Sequence, residues 1–230
     1  MPDAPRFSVI MPLHREHAQL SEVRSRVHSA VSPLELVIVL NDESLAGAVR
    51  AERPGERVVM CPRRGRGFAL ARGVAESKGE VGLLLHADTL LPANWDGAVW
   101  HALSDERVVG GGFHTAFDRS SMFLDSILRL SDFLVFMRGA MWGDRALFAR
   151  TGVLRQCLPA LDVPLFEDVR LYKALRRRGR LALLDEAVVT SADHFWRYGP
   201  VTQSMRILKA RTWYALGGDP QKIYDYYYSR

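Results

Sequence analysis

Asp88 follows Val81–Leu85, a nearly unbroken apolar run that predicts a strand buried on both faces, as in a parallel sheet between helices. Ligands of open α/β sheets bind at the carboxyl ends of the strands. A carboxylate at position 88 is therefore a candidate site residue. The alternative interpretation is a turn in which Asp88 caps the next segment and Pro92 ends the strand.

Other polar groups are expected at the same edge of the sheet. The apolar run Leu34–Leu40 predicts a second strand that stops at Asn41 and Asp42, and Arg66 lies in a loop before a predicted helix. Phosphates need cations, and a divalent ion needs hard oxygen ligands. Carboxylates, an amide that can read a base edge and a cation therefore suit a nucleoside diphosphate bound through a metal ion.

The glycines at positions 65 and 67 do not form a known phosphate loop. Gly65-Arg-Gly67 lacks the Walker pattern, and it does not follow a strand as G-x-G-x-x-G. The sequence therefore argues against kinase-type or dinucleotide-type phosphate binding.

Strands and helices alternate in the first half of the chain. Phe7–Met11 predicts the first strand, and a helix should follow with its apolar face at Leu20, Val23, Val27 and Val31. A strand at Arg57–Met60 precedes a helix that Gly79 should stop at its C′ position. This order, with short connections, predicts an α/β fold with a mostly parallel central sheet flanked by helices.

The second half of the chain predicts a different series of elements. In chain order these are a strand at 108–113 with 114–117 as its candidate extension, a helix at 120–138, a strand at 146–149, a helix from 164, a strand at 181–189, a loop at 190–196 and a last helix from 201. The tyrosine-rich tail at 224–228 could dock on the body of the protein or at an interface.

Glu167 and Asp168 lie in the first turn of the helix predicted from Pro164. Acidic residues there complement the helix dipole, which explains them without any catalytic role. A general base gains from the same position, because a rigid helix start can aim it into a cleft. Both interpretations remain open at this point.

The composition limits the functional classes. Of the 230 residues, 48% are hydrophobic, which is ample for a buried core. No apolar run is long enough to span a membrane, no signal peptide is recognisable, and Cys61 and Cys157 form no CxxC pair. The net charge of +5 permits anionic partners, but no nucleic-acid reading element is present. We expect a cytoplasmic protein with no nucleic-acid partner.

Taken in order, the motifs resemble those of the family 2 glycosyltransferases of the GT-A fold. More closely, they resemble the bacterial subgroup associated with radical-SAM and selenium-related domains. The motifs extend over nearly the whole chain: Ser8-Val-Ile-Met-Pro12, Arg64-Gly-Arg-Gly67, Leu85-His-Ala-Asp-Thr89, Trp142-Gly-Asp-Arg145, Phe166-Glu-Asp168, and Arg176-Arg-Arg-Gly179 followed by a strand and Thr190-Ser191.

The resemblance implies one GT-A domain over residues 1–230, with a nucleotide-binding half at 1–92 and an acceptor-side half at 93–230. It implies metal-dependent, inverting transfer of a sugar from a nucleotide-sugar, most often a UDP-sugar, to a hydroxyl of a lipid carrier, a small metabolite or a glycan. One alternative is a nucleotide-sugar-binding protein with little or no transfer activity. A nucleotidyltransferase ranks last, because it would have a glycine-rich loop where this chain has Pro12-Leu-His-Arg-Glu16.

The resemblance also implies roles for individual residues. Asp88 would hold Mg²⁺ or Mn²⁺ on the diphosphate, as the acid of the D-x-D motif. Asp168 matches the base that deprotonates the acceptor, and Glu167 beside it would orient the acceptor. The residues expected to bind the nucleotide-sugar are Pro12, Asn41, Asp42, Arg66, His86, Asp88, Gly143 and Asp144.

The chain departs from the family pattern at two places. The family usually has an aspartate at the end of the second strand, where this chain has Asn41 and Asp42, so either residue could read the base. His86 replaces the first acid of the D-x-D motif, which leaves one carboxylate for the metal. His194 is the candidate for a further metal ligand, and the alternative is a histidine packed beside its aromatic neighbours.

Many acceptors in this family are lipid-linked, so peripheral contact with the inner face of a membrane is a further expectation. Its candidate surface is cationic and aromatic and comprises Arg206, Lys209, Arg211, Trp213 and Tyr214. The preferred alternative is a solvated helix that packs on the core. The sequence leaves the oligomeric state open.

Overall fold

A computed structural model describes residues 4–15, 17–119, 121–138 and 145–228, with the backbone alone for residues 131–138. The strands are β1 (Phe7–Leu13), β2 (Leu34–Leu40), β3 (Glu56–Met60), β4 (Val81–Leu84), β5 (Thr89–Leu90), β6 (Val108–Phe117), β7 (Phe148–Arg150) and β8 (Arg180–Thr190). The helices are α1 (Leu20–Val27), α2 (Arg66–Glu76), α3 (Trp95–Ala102), α4 (Met122–Arg138), α5 (Thr151–Gln156), α6 (Leu158–Leu161), α7 (Glu167–Arg176), α8 (Asp193–Tyr198), α9 (Pro200–Ala215) and α10 (Pro220–Tyr228).

The strands form one sheet in the order β3-β2-β1-β4-β7-β6-β8-β5. Four of the seven pairings within the described residues are parallel, including all those among β1 to β4. This confirms the predicted central sheet. Because β1, β2 and β4 run in the same direction, their carboxyl ends lie at one edge of the sheet.

Apolar residues cover both faces of the sheet, because successive residues of a strand point to opposite sides. Val9 and Met11 of β1 pack in one cluster with Val23 of α1, whereas Ile10 packs in the other with Leu70 of α2. All of these side chains are at most 3% exposed. The layer of helices on each face is the one that the apolar runs predict.

Two predicted helix ends were wrong. Helix α1 ends at Val27, so Val31 is 91% exposed rather than part of an apolar face. Helix α2 ends at Glu76, before Gly79, where a Cβ atom would lie 2.6 Å from the carbonyl carbon of Phe7. The glycine therefore permits close approach to β1 and does not stop the helix.

Two further corrections concern α7 and α8. Helix α7 begins at Glu167 rather than at Pro164, whose carbonyl oxygen accepts a hydrogen bond from the Arg66 backbone N–H at 3.1 Å. The segment predicted as a loop at 190–196 contains the start of α8, at Asp193.

The tyrosine-rich tail is a helix, α10, that docks on the body of the protein. Ile223 is fully buried in a cluster with Phe166 of the segment before α7 and Ala210 of α9. The carboxyl-terminal helices therefore brace the start of α7.

The cationic, aromatic surface predicted on α9 does not form as one exposed face. The ring of Tyr214 stacks on Phe166 with centroids 4.5 Å apart, Trp213 packs against the same cluster, and Arg211 faces a cleft. The exposed residues of α9 include the apolar Val201, Met205 and Leu208 together with Lys209, the one member of the predicted surface that is exposed. Among the described residues, no helix combines the length and the apolar character needed to cross a bilayer.

Replacing Gly67 with alanine is expected to destabilise the protein by about 1–3 kcal/mol. The added Cβ atom would clash with the 161–167 segment where it packs against α2. That atom would lie 2.1 Å from the carbonyl oxygen of Val163 and 2.5 Å from that of Leu161. Urea unfolding measures the change. Gly152→Ala is the matched control, since nothing lies within 4 Å of its added Cβ atom, and it should be neutral or slightly stabilising. Equal effects of the two substitutions would contradict this account.

Candidate functional site

A cleft of about 610 Å³ opens at the carboxyl ends of β1, β2 and β4. Its walls come from the loops after these strands, from the start of α7 and from α9 and α10. The lining residues are Pro12, His14, Arg15, His17, Asn41, Asp42, Arg64, Gly65, Arg66, His86, Ala87, Asp88, Leu165, Phe166, Asp168, Val169, His194, Ile207, Ala210, Arg211, Tyr224, Tyr227 and Tyr228.

Most of the site residues expected from the sequence lie together in this cleft. Those that line it are Pro12, Asn41, Asp42, Arg66, His86, Asp88, Asp168 and His194. Glu167 is expected there too, but its side chain lies behind the wall. Gly143 and Asp144 lie outside the residues that the structure describes.

Asn41 and Asp42 differ in what they offer to a ligand. The Asn41 amide nitrogen donates to the carbonyl oxygens of Arg63 at 2.8 Å and Gly65 at 3.3 Å, so it ties β2 to the loop before α2. The Asp42 carboxylate accepts from the Ser44 backbone N–H at 2.9 Å. Hydrogen bonds from Ser44 lower the pKa of Asp42 below its usual range, so the carboxylate is ionised at neutral pH. Asp42 therefore offers an ionised hydrogen-bond acceptor, whereas the Asn41 amide nitrogen is engaged by the backbone.

Glu167 holds Arg66. The two side chains form an ion pair, in which the Glu167 side chain is 2% and the Arg66 side chain 26% exposed. Burial raises the pKa of Glu167, and the adjacent Arg66 guanidinium opposes this shift. Glu167 does not line the main cleft and instead pairs with Arg66, which does; its expected role in orienting an acceptor stays a prediction.

Asp168 faces the cleft from the first turn of α7. The residue before this helix, Phe166, has φ of 62°, a left-handed conformation that is strained for a bulky side chain. Its ring is held by the stack on Tyr214. Packing of α9 against Phe166 therefore sets the direction in which α7 starts and presents Asp168 to the cleft.

Asp88 and His194 are brought together by the pairing of β5 with β8. The Asp88 carbonyl oxygen accepts from the Ser191 backbone N–H at 3.1 Å, which places the start of α8 next to the turn at Asp88. The Nε2 atom of His194 lies 3.0 Å from the Arg15 guanidinium, so it accepts a hydrogen bond and would bind a metal only if Arg15 moved.

The possible metal ligands around Asp88 are few, and they suit a cation that takes most of its ligands from a substrate. A carboxylate oxygen is a hard ligand, and His86 and His194 offer imidazole nitrogen atoms to the same cleft. In the described part of the chain, no three histidine, cysteine or acidic side chains are close enough to hold a metal by themselves. The protein could therefore hold Mg²⁺ or Mn²⁺ together with a diphosphate and water.

His14 and His17 were not predicted as site residues, although both follow the carboxyl end of β1. They belong to a group of four cleft histidines, of the seven in the sequence, whose other members are His86 and His194. Burial, with Arg15, His17 and Arg66 nearby, lowers the pKa of His14 to about 4, so its ring is neutral at neutral pH. Burial also lowers the pKa of His17, opposed by the nearby Asp88. Asn41 and Asp88 were predicted because they follow the carboxyl ends of strands, where ligands bind. His14 and His17 follow β1 in the same way.

Replacing His14 with asparagine is expected to make the stability of the protein less sensitive to acid. The pKa of about 4 in the folded state lies below the ordinary value of 6.5, so the unfolded state binds the proton more readily. The stability contributed by this histidine is therefore complete above pH 6.5 and is lost as the pH falls toward 4.

Urea unfolding at about pH 7 and about pH 5 measures this acid sensitivity. His14→Asn should lose less free energy of unfolding between the two conditions than the unchanged protein. His101→Asn, at an exposed position of α3, is the control and should lose as much as the unchanged protein. An equal loss in all three proteins would contradict the assignment.

Comparison with known proteins identifies a family for the chain. The model of "Glycosyl transferase family 2" matches residues 8–143, more than half of the chain. No curated protein sequence matches.

Several solved structures share the fold. Residues 1–349 of S. aureus TarS in complex with UDP-GlcNAc superpose with a TM-score of 0.59 at 14% identity, over 81% of this chain and 58% of that one. A mannosyltransferase of Pyrobaculum calidifontis, PcManGT, in complex with GDP-Man and Mn²⁺, gives a TM-score of 0.62 at 20% identity, over 91% of this chain and 62% of that one. This chain thus spans less than two thirds of either structure, and identities this low show a common GT-A fold alone. Because the family model extends over the strands that build the cleft, the chain belongs to glycosyl transferase family 2.

Proposed function

We propose that this protein transfers a sugar from a nucleotide-sugar to an acceptor hydroxyl in a metal-dependent, inverting reaction. One observation carries the proposal: four elements bring Asp42, Arg66, Asp88 and Asp168 to a single cleft. In this set Asp42 would bind the nucleobase and Arg66 the phosphates. Asp88 would bind the metal ion, and Asp168 would accept the proton of the acceptor hydroxyl.

Asp42 would read the base through its ionised carboxylate, which accepts hydrogen bonds. Uracil offers one ring N–H group and guanine offers a ring N–H and an amino group, so both suit this acceptor. The two fold relatives are complexes with UDP-GlcNAc and GDP-Man. A UDP-sugar is our first choice of donor, because the family resemblance of the sequence favours it.

Asp88 would hold Mg²⁺ or Mn²⁺, with His86 and His194 as neighbouring donors. When bound, the ion neutralises the negative charge of the departing nucleoside diphosphate. Arg66, kept in place by Glu167, adds a fixed positive charge on the same side of the cleft. The PcManGT complex contains Mn²⁺.

Asp168 would remove the proton from the acceptor hydroxyl as that oxygen attacks the anomeric carbon. A rigid helix start keeps the carboxylate in place, which is the geometric requirement for a general base. Attack from the side opposite the leaving diphosphate inverts the anomeric configuration in one displacement. For the acceptor, we predict only that it presents a hydroxyl group. A lipid carrier, a metabolite and a glycan all meet this requirement.

Three finer expectations remain predictions. They are membership of the radical-SAM-associated bacterial subgroup, the division into a nucleotide-binding and an acceptor-side half, and a cytoplasmic location with peripheral contact at the membrane. The exposed apolar residues of α9, including Val201, Met205 and Leu208, are the surface that such contact would use.

A donor panel tests the proposed function. UDP- and GDP-sugars are compared by thermal shift with and without Mn²⁺, and nucleoside diphosphate release is then measured with candidate hydroxyl acceptors. Metal-dependent stabilisation by one donor and its turnover would support the proposal. Binding without release on every acceptor would favour a nucleotide-sugar-binding protein, and no binding at all would refute both.

A further inference from the structure

Three tyrosines of α10 reach the cleft from the far end of the chain. Tyr224, Tyr227 and Tyr228 all line it. The ring centroid of Tyr228 lies 4.6 Å from that of Tyr224 and 5.2 Å from that of Tyr227. Because the three rings contact one another, they form a continuous aromatic wall.

Contacts with the core and with α9 anchor this wall. Ile223 is fully buried, and the Tyr227 hydroxyl accepts a hydrogen bond from the Gln203 amide nitrogen of α9 at 3.1 Å. Tyr228, by contrast, keeps 41% of its surface exposed. Tyr228 also lines the cleft.

Tyr228 meets the loop after β1. Its ring centroid lies 6.2 Å from that of His14 at an interplanar angle of 67°, so the two rings form an edge-to-face corner. Burial of its phenol group, as distinct from the residue as a whole, raises the pKa of Tyr228 to about 12, so the phenol stays protonated at neutral pH. With His14 neutral as well, both rings of the corner are uncharged.

The corner lies beside the residues that would read the base. The Asp42 carboxylate is within electrostatic range of both Arg64 and His14. Tyr224 is within the same range of Arg64, and Tyr228 of Arg66. A flat ring whose edge donates a hydrogen bond to Asp42 would therefore have an aromatic face next to it.

We propose that Tyr228 and His14 form a stacking subsite for the nucleobase of the donor, so that the carboxyl-terminal helix completes the nucleotide site. The inference rests on the proposed function, since it assigns the base of the same nucleotide. A base has two features to recognise, its edge and its face. Asp42 would accept a hydrogen bond from the edge of the base, and the aromatic corner would stack on its face.

The test uses the full chain and three probes, each with Mn²⁺: UDP, GDP and inorganic diphosphate, which has no base. Isothermal titration calorimetry gives the Kd of each probe for Tyr228→Ala and Tyr228→Phe. The control is Tyr226→Ala, on the same helix, because Tyr226 packs on Trp213 with centroids 6.1 Å apart and does not line the cleft.

We expect Tyr228→Ala to weaken nucleoside diphosphate binding by about 5- to 150-fold, the range of base–aromatic stacking, and to leave inorganic diphosphate binding unchanged. Tyr228→Phe keeps the ring and should bind like the unchanged protein, as should Tyr226→Ala. A loss restricted to the probes with a base, in the variant without the ring, is the signature of stacking.

Several outcomes would overturn the inference. Equal weakening of all three probes would indicate a general loss of the cleft, and tighter binding of all three would show that α10 blocks the site. Unchanged UDP and GDP binding by Tyr228→Ala would overturn the stacking subsite alone. Failure of the unchanged protein to bind either nucleotide would overturn the proposed function together with it.

Discussion

Replacing Asp168 with asparagine is expected to lower kcat by about 10²–10⁴-fold while the Kd of the donor stays the same. An amide has nearly the shape of a carboxylate but cannot take a proton from the acceptor hydroxyl. Asp168 lies half-buried in the first turn of α7, so the substituted side chain should remain in the cleft. Release of nucleoside diphosphate measures turnover, and calorimetry measures donor binding.

Asp185→Asn is the matched control for this experiment, because Asp185 is an exposed residue of β8 outside the cleft. It should turn over substrate like the unchanged protein. Unchanged turnover in Asp168→Asn would rule out Asp168 as the base. A joint loss of turnover, donor binding and thermal stability would point instead to a structural role at the start of α7.

Replacing Asp88 with asparagine is expected to abolish the metal-dependent part of donor binding. The carboxylate is the hard anionic ligand that the cleft offers to Mg²⁺ or Mn²⁺, and an amide oxygen binds such ions more weakly. A donor present at about 100 times its Kd stabilises a protein by about 2.7 kcal/mol. That gain should appear with Mn²⁺ in the unchanged protein and disappear in Asp88→Asn.

Two further measurements make the Asp88 experiment specific. The unchanged protein treated with EDTA should behave like Asp88→Asn with Mn²⁺, since both lack the bound ion. His194→Ala tests the second ligand, and unchanged Mn²⁺ affinity in that variant would leave His194 as a partner of Arg15 alone. An unchanged Mn²⁺ effect in Asp88→Asn would refute the metal site.

The sequence by itself determined the central sheet and much of one cleft wall. Apolar runs of strand length predict buried parallel strands, and the carboxyl ends of such strands must share an edge. The residues that follow β2 and β4, Asn41, Asp42 and Asp88, were therefore found from local patterns. His14 was not predicted as a site residue, although it follows β1 and the same reasoning applies to it.

Only the tertiary structure decided how distant parts of the chain meet in the cleft. Glu167 and Asp168 are adjacent in sequence, yet Glu167 is buried against Arg66 while Asp168 faces the cleft. Tyr228 of α10 contacts His14 of the loop after β1, near the opposite end of the chain. Periodicity reports which face of an element is buried, but it does not report which distant element covers that face. The packing of α9 and α10 on the start of α7 decides that, and with it the composition of the second wall.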